Sequence, residues 1–335
     1  MTEPIAFEQD LQASQPDVRI GLSRAGVTGV QKAVRMRHGQ DEALVAAEID
    51  CFVDLDPAQK GVHMSRFPEL FEEAIDEGVM GEKLLVERLA GHIAEHILER
   101  QRALRAEVKI AARYPLERTT PVTGLRTQEL VTLIGLAVAS PAGTRQAIGV
   151  EATGINACPC AQGLVRERAA GRLEEAGFGG EDVERILELV PLATHNQRGR
   201  GTLVIGTSAR VRGEELVDLV ESSMSSPIYE LLKRPDELFV VEHAHLQPRF
   251  VEDSVRVMIG QVLDRYSAEL GDGDLVFARQ VNFETIHNHE VLAERSGSVG
   301  ELRLERLTGE RSGRYLELRD WLTGAADGAA GHRTS

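Results

Sequence analysis

Residues 129–160 read ELVTLIGLAVASPAGTRQAIGVEATGINACPC, two extended apolar runs separated by Pro-Ala-Gly and ending in a pair of cysteines. ELVTLIGLAVAS and RQAIGVEATGI both read as strands. The uncharged stretch at their centre, Leu130 to Thr144, is 15 residues long and is interrupted by Pro141. That is too short and too broken to span a bilayer. Moving outward toward the N-terminus, RALRAEVKIAARY is another extended run. Before it, Val86, Ala90, Ile93 and Ile97 recur at i, i+4, i+7 and i+11, a helical stripe, and DVRIGLSRAGV and AEIDCFVDLD precede that helix as strands. Moving outward toward the C-terminus, GTLVIGTSARV reads as a strand after a charged helical insertion over residues 163–190. FVEDSVRVMIGQVLDRY then places Val251, Val255, Met258, Ile259 and Val262 on one helical face. DLVFARQVNFE and SVGELRLERL close the pattern as expected strands. Two strands, helices and two strands thus occur twice, which predicts an α+β fold with antiparallel sheets and helices on one face. The expected units are 17–142 and 143–320, with polar, flexible ends at 1–16 and 324–335.

The chain has 335 residues, of which 53 are acidic and 38 basic, a net charge of -15. This balance argues against binding nucleic acid by broad phosphate neutralisation, and 42% hydrophobic content argues against disorder. The N-terminus, MTEPIAFEQD, carries acids where a secretory signal needs a basic start, so a soluble cytoplasmic protein without membrane association is expected. Of three cysteines, two form Cys158-Pro-Cys160, a spacing in which a mutual disulfide is strained. Reduced thiols are expected there.

A thiolate is both a nucleophile and a ligand for zinc or iron, but one C-x-C pair cannot build a four-cysteine site. Any metal must recruit histidine or carboxylate. His287 and His289, placed near Glu284 at the expected end of a strand, would point to one side by the period of two. The segment Thr194-His-Asn-Gln-Arg-Gly-Arg-Gly201 is expected as a loop before a strand. His92 with His96 on a helix, and His243 with His245 on an expected strand, are further pairs. Glu237 and Glu252 stand at the starts of apolar runs. Neither G-x-x-x-x-G-K-[ST] nor a convincing strand–G-x-G-x-x-G–helix unit is present, so a bound nucleotide would be held by side chains. Lys60-Gly-Val-His-Met-Ser-Arg-Phe67 offers cationic and hydroxyl donors between a strand and a helix.

Taken in order, Lys60–Phe67, Asn156-Ala-Cys-Pro-Cys-Ala-Gln162, Thr194-His-Asn-Gln-Arg-Gly199, Lys233-Arg-Pro-Asp-Glu237, Phe250-Val-Glu-Asp253 and Asn282-Phe-Glu-Thr-Ile-His-Asn-His289 resemble the type IB GTP cyclohydrolases over roughly residues 17–310. The resemblance implies a tunnelling fold of two tandem ββααββ modules and a homotetramer with active sites at subunit boundaries. It implies conversion of GTP to a 7,8-dihydroneopterin phosphate and formate for folate and pterin biosynthesis, with one divalent metal per site, Fe2+, Zn2+ or Mn2+. The implied metal ligands are Cys158, His195 and Glu237. Cys160, Glu284, His287 and His289 would move protons and orient substrate, and Glu252 would anchor the guanine edge. Lys60, His63, Ser65, Arg66, Arg198 and Arg200 are the candidates for holding the phosphates against the overall negative charge. The insertion at 163–190 looks more like the archaeal branch, whose product is the 2′,3′-cyclic phosphate, than the bacterial branch, whose product is the linear triphosphate. Two rival readings are a zinc nucleobase deaminase, whose H-x-E and P-C-x-x-C signature is missing, and a non-catalytic assembly protein with a structural metal.

Overall fold

In the computed structural model, residues 10–38, 41–80, 85–310 and 315–325 are described. The first half contains β1 (Leu22–His38), β2 (Asp41–Leu55), α1 (Arg66–Met80), α2 (Val86–Gln101), β3 (Ala106–Thr119) and β4 (Arg126–Ser140). The second begins with β5 (Gly143–Ala157), α3 (Pro159–Glu175), α4 (Gly180–Leu189) and β6 (Asn196–Gly206). It continues with α5 (Gly213–Ser223), β7 (Ser226–Pro227), α6 (Arg234–Leu246), α7 (Val251–Arg265), β8 (Leu275–Asn282), β9 (Val291–Ser298), α8 (Val299–Thr308) and α9 (Leu318–Thr323).

The strands form one antiparallel sheet in the order β1-β2-β3-β4-β5-β6-β8-β9, with the short β7 bonded to β5. β4 and β5, the two runs flanking Pro141, are joined by the tight link Ser140↔Gly143, so the sheet passes without a break from one half of the chain to the other. β1 and β9 are its outer strands.

Alternation along the strands sends successive side chains to opposite faces. Ala137, Ala139, Ile148, Val150, Leu203, Ile205, Val276 and Ala278 join the main core beneath the helices. Their neighbours Val138, Ala147, Val204 and Leu275 point the other way and are covered by Trp321 and Leu322 of α9. Helices on a single face were expected, but the C-terminal helix lies on the other. In α2 the predicted stripe is buried, together with Leu89, which is 1% exposed. Burying an aliphatic side chain of this size contributes about 1.5–3 kcal/mol, which outweighs the weak intrinsic helicity of a short segment. α2 also lies directly on β4: a Cβ on Gly135 would come within 2.3 Å of Val86 O.

The expected strand SVGELRLERL is divided. β9 ends at Ser298, whose side chain accepts the Glu301 N–H and starts α8, and Gly309, at φ 70°, closes that helix. His243 and His245 lie on helix α6 and not on a strand. Pro235 in its first turn and Asp236, which accepts the Lys233 N–H at 3.1 Å, supply the start signal. Residues 10–15 dock on the β2–α1 connection, where Lys60 N–H donates to Ser14 O and Gly61 N–H to Gln12 O. No described helix is long and apolar enough to cross a membrane.

Candidate active site

The end of β5 and the start of β6 bring two predicted donors together. Their register pairs Ala157 with Asn196. One step beyond, the Cys158 N–H donates to His195 O at 3.1 Å and the Thr194 hydroxyl donates to Cys158 O at 2.8 Å. Cys158 caps α3, with Pro159 next to it, and its sulfur accepts the Ala161 N–H at 3.5 Å. That contact fixes the sulfur at the first turn of α3, facing backbone N–H groups that have no partner within the helix. Nδ1 of His195 lies 3.1 Å from Gln197 Oε1 and 3.9 Å from Glu284 Oε2. With Nδ1 donating to Gln197 Oε1, the Nε2 lone pair is left for an electrophile. Glu284 thus lies at ion-pair range of His195, while its expected place was beside His287 and His289.

Below this pair is a buried polar network that carried no assigned role in the sequence reading. Asn156 donates from Nδ2 to Asn282 Oδ1 at 2.9 Å and to Ser254 Oγ at 3.2 Å, and its Oδ1 accepts the Ser225 N–H at 3.2 Å. Gln280 Nε2 donates to the same Asn282 oxygen, and Ser225 Oγ accepts the Ala157 N–H. Asn156, Ser225, Ser254 and Gln280 are fully buried. Buried amides persist only when their bonds are made, so these contacts fix β5, β8 and α7 relative to one another. Cys158 lies two residues beyond Asn156, Glu252 two before Ser254 and Glu284 two beyond Asn282. Gly199 makes the packing possible, since a Cβ there would lie 2.4 Å from Gln280 Nε2 and 2.9 Å from Asn282 Oδ1. Asn interrupting an apolar strand at its end, twice, was the available signal, but one strand alone does not reveal its partner.

The other predicted residues fall in several places. Glu252 is exposed in the first turn of α7, where Asp253 accepts the Phe250 N–H at 3.2 Å and the Arg249 N–H reaches Ala157 O at 3.0 Å. Glu237 is exposed in the first turn of α6. Its neighbour Asp236 is buried and accepts from Thr123 Oγ1 and from the backbone N–H groups of Thr123, Val122 and Lys233. Burial alone would raise that carboxyl, but the four hydrogen bonds outweigh it and hold Asp236 below the usual carboxylate range. The start of α6 is thereby tied to the β3–β4 turn. Cys160 is exposed on α3. β8 ends at Asn282, so His287 and His289 lie on the exposed β8–β9 connection, not on a strand, and their rings stack on each other at 5.0 Å. The expected loop at 194–201 is mostly strand: β6 starts at Asn196, with Arg198 and Arg200 exposed. Arg200 lies 3.7 Å from Glu151 and over the Phe283 ring.

Lys60, His63, Ser65 and Arg66 are not beside Cys158. β2 leads into them, and its Val53 pairs with Ala106 at the sheet edge where β3 begins and β4 ends, opposite to the edge where β5 ends. There His63 Nε2 lies 3.3 Å from Asp10, and Arg66 donates to Arg100 O. The remaining pairs are local. His92 and His96 face each other at 4.2 Å, His243 stacks on Phe239, and His245 Nδ1 lies 2.7 Å from Val241 O. Cys51 is buried in the core, and burial pushes its thiol far up.

The donor chemistry of Cys158 and His195 suits a soft or borderline divalent ion. No group of three or more His, Cys, Asp or Glu side chains able to hold a metal is gathered among the described residues. The chain thus juxtaposes two of the three expected ligands, with Glu237 apart from them.

The fold is similar to the crystal structure of uricase from Arthrobacter globiformis, with a TM-score of 0.50 at 9% identity over 91% of this chain and 99% of that one. At that identity the likeness concerns the fold alone, one shared by tunnelling-fold proteins. GTP cyclohydrolase MptA of Methanococcus aeolicus is 41% identical over 305 residues, covering 88% of this chain and 98% of the relative. The protein of the same name from Methanothermobacter thermautotrophicus is 41% identical over 304 residues, covering 88% and 95%. A family model described as type I GTP cyclohydrolase folE2 matches residues 9–293, a span that includes the Cys158–His195 junction, both starts of α6 and α7, and the β8–β9 connection. The chain belongs to this GTP cyclohydrolase family.

Proposed function

We propose that the chain is a metal-dependent GTP cyclohydrolase that opens the guanine imidazole ring and releases formate, giving 7,8-dihydroneopterin triphosphate. The observation that carries this reading is the backbone-locked pair Cys158 and His195, with Glu284 behind the imidazole. Cys158 and His195 would hold one divalent metal, Fe2+, Zn2+ or Mn2+, with Glu237 completing the set only if the start of α6 closes on the pair; when bound, the metal would supply a water whose pKa is lowered toward neutrality. The chain's own residues do the rest. Glu252, exposed and rigidly mounted, accepts N1–H and the 2-amino group of guanine, a donor pair that adenine lacks. Water attacks C8, and the ring nitrogen leaves only after gaining a proton. His287, His289 and Cys160 are the groups assigned to that transfer, since imidazoles exchange protons near neutral pH. A second hydrolysis then frees formate.

The triphosphate is assigned to Arg198 and Arg200 from this edge of the sheet, and to Lys60, His63, Ser65 and Arg66 from the opposite edge of another copy. That assignment requires a homo-oligomer, a tetramer of two-module ββααββ subunits with sites at their boundaries. The second product, the 2′,3′-cyclic phosphate, is favoured by the insertion between β5 and β6, which is filled by α3 and α4. Metal-reconstituted protein incubated with GTP, with formate measured and the pterin weighed by mass spectrometry, tests the whole reading. Formate with a linear or a cyclic product decides the branch. Ammonia without formate would mean a deaminase, and no turnover a non-catalytic assembly protein.

A further inference from the structure

The helix that Cys158 starts is not anchored in the core. No residue of α3 is fully buried, and residues 191–195, which lead into His195, adopt neither helix nor strand. Cys158 and His195 therefore stand on segments whose relative position depends on hydrogen bonds more than on apolar packing.

One side chain makes most of those bonds. Gln162, the last residue of the motif Asn156–Gln162, lies one turn into α3 and is half-buried. Its backbone N–H donates to Cys158 O at 3.2 Å. Its Nε2 donates to Leu192 O at 3.0 Å and to His245 O at 2.6 Å, so the amide has an acceptor for each of its two hydrogens. Leu192 stands three residues before His195. His245 is in the last turn of α6, the helix whose first turn carries Glu237, and carbonyls of a last turn have no partner within their own helix. The Thr194 hydroxyl, on Cys158 O at 2.8 Å, closes the frame. Gln162 thus reaches the segments that carry all three proposed metal donors, and both of its side-chain partners are carbonyl oxygens that only an N–H or O–H donor can satisfy.

We propose that Gln162 is a positioning residue of the cyclohydrolase site, which sets the spacing of the Cys158, His195 and α6 segments. The inference rests on the reading of Cys158 and His195 as metal donors. Gln162 acts through those residues, as partners behind metal ligands do when they fix the geometry in which a site is presented.

Zn2+ titrated into metal-free protein against a chromophoric chelator measures this apart from turnover. Gln162→Met and Gln162→Leu offer no N–H, and each should weaken Zn2+ binding about 10- to 100-fold. Formate release by these variants should fall at limiting Zn2+ and recover in excess Zn2+, with KM for GTP within about twofold of wild type. Methionine matches glutamine in length and helix propensity, so Gln162→Met decides the matter should the branched leucine disturb the fold, which circular dichroism checks. Cys158→Ala is the control that should lose the bound Zn2+. A wild-type chain that binds no Zn2+, or binding unaltered in Cys158→Ala, would overturn the metal-site reading and this proposal with it. One Zn2+ bound by the wild type and lost in Cys158→Ala, but held by folded Gln162→Met within about twofold of the wild-type affinity, would overturn the proposal alone.

Discussion

Replacing Asn156 with alanine removes the amide on which three elements converge. Its Nδ2 bonds to Asn282 and Ser254 and its Oδ1 bond to the Ser225 N–H are all made in fully buried surroundings. Three such bonds contribute about 1 kcal/mol each, and the Ser225 N–H left without an acceptor adds about 1–2 kcal/mol of desolvation, so the expected loss is about 4–5 kcal/mol. Asn282 keeps its bond from Gln280, which prevents a larger collapse. The midpoint of urea unfolding, read by circular dichroism at one fixed protein concentration, measures this loss. Turnover per folded molecule measures a second consequence. Cys158, Glu252 and Glu284 each stand two residues from a member of the network, so loosening it should lower kcat/KM for formate release by about 100-fold, the effect of a misplacement near 1 Å. A stability loss under about 1 kcal/mol, or a destabilised variant with full turnover, would show that the network does not position the site.

Glu252→Gln should raise KM for GTP by about 10- to 100-fold with a smaller change in kcat, since it weakens a charge-assisted donor pair and leaves the chemistry in place; steady-state kinetics with an unchanged KM would remove Glu252 from guanine recognition. Cys158→Ala, His195→Ala and treatment with a chelator should each abolish formate release, and added Fe2+, Zn2+ or Mn2+ should restore only the chelated wild-type chain; turnover by scrupulously metal-free protein would refute the ligand assignment. Stability should also respond to pH through Glu221, whose carboxyl burial pushes up to about 7 against the opposing pull of Arg118. The native state then holds a proton that the unfolded chain releases near pH 4.5, so this term is favourable at low pH and is lost as pH rises from 4.5 to 7, by at most about 3 kcal/mol. Unfolding midpoints of Glu221→Gln across that range should lack this decline, and an identical pH profile would contradict it.

Much of the architecture was legible because the periodicities are strong. The stripe Val86, Ala90, Ile93, Ile97 and the face Val251 to Val262 are helices with those residues buried, and the runs on either side of Pro141 are adjacent strands. The failures come from residues whose meaning is tertiary. SVGELRLERL alternates well enough for a strand, yet Ser298 caps a helix within it. His243 and His245 have a strand-like spacing, but Pro235 and Asp236 had already started a helix. At the site, the joining of Cys158 to His195 depends on strand register, and the role of Asn156 depends on three partners distant in sequence, so neither can be read from one segment. Lys60 to Arg66 and the cysteine motif look alike in chemical promise, but only the order of strands shows that they occupy opposite margins of the sheet.

The outermost ribbons, β1 with 17 residues and β9 with 8, each carry one flank that no other strand among the described residues meets. Amide and carbonyl groups in such a row must be satisfied by solvent or by another polypeptide. If identical copies lend one another these flanks, dilution itself becomes a denaturant: each tenfold drop in protein removes about 1.4 kcal/mol per association step from the balance. Melting curves recorded at micromolar and nanomolar protein would then disagree, and the gap between them would measure how much of this enzyme's durability belongs to its company.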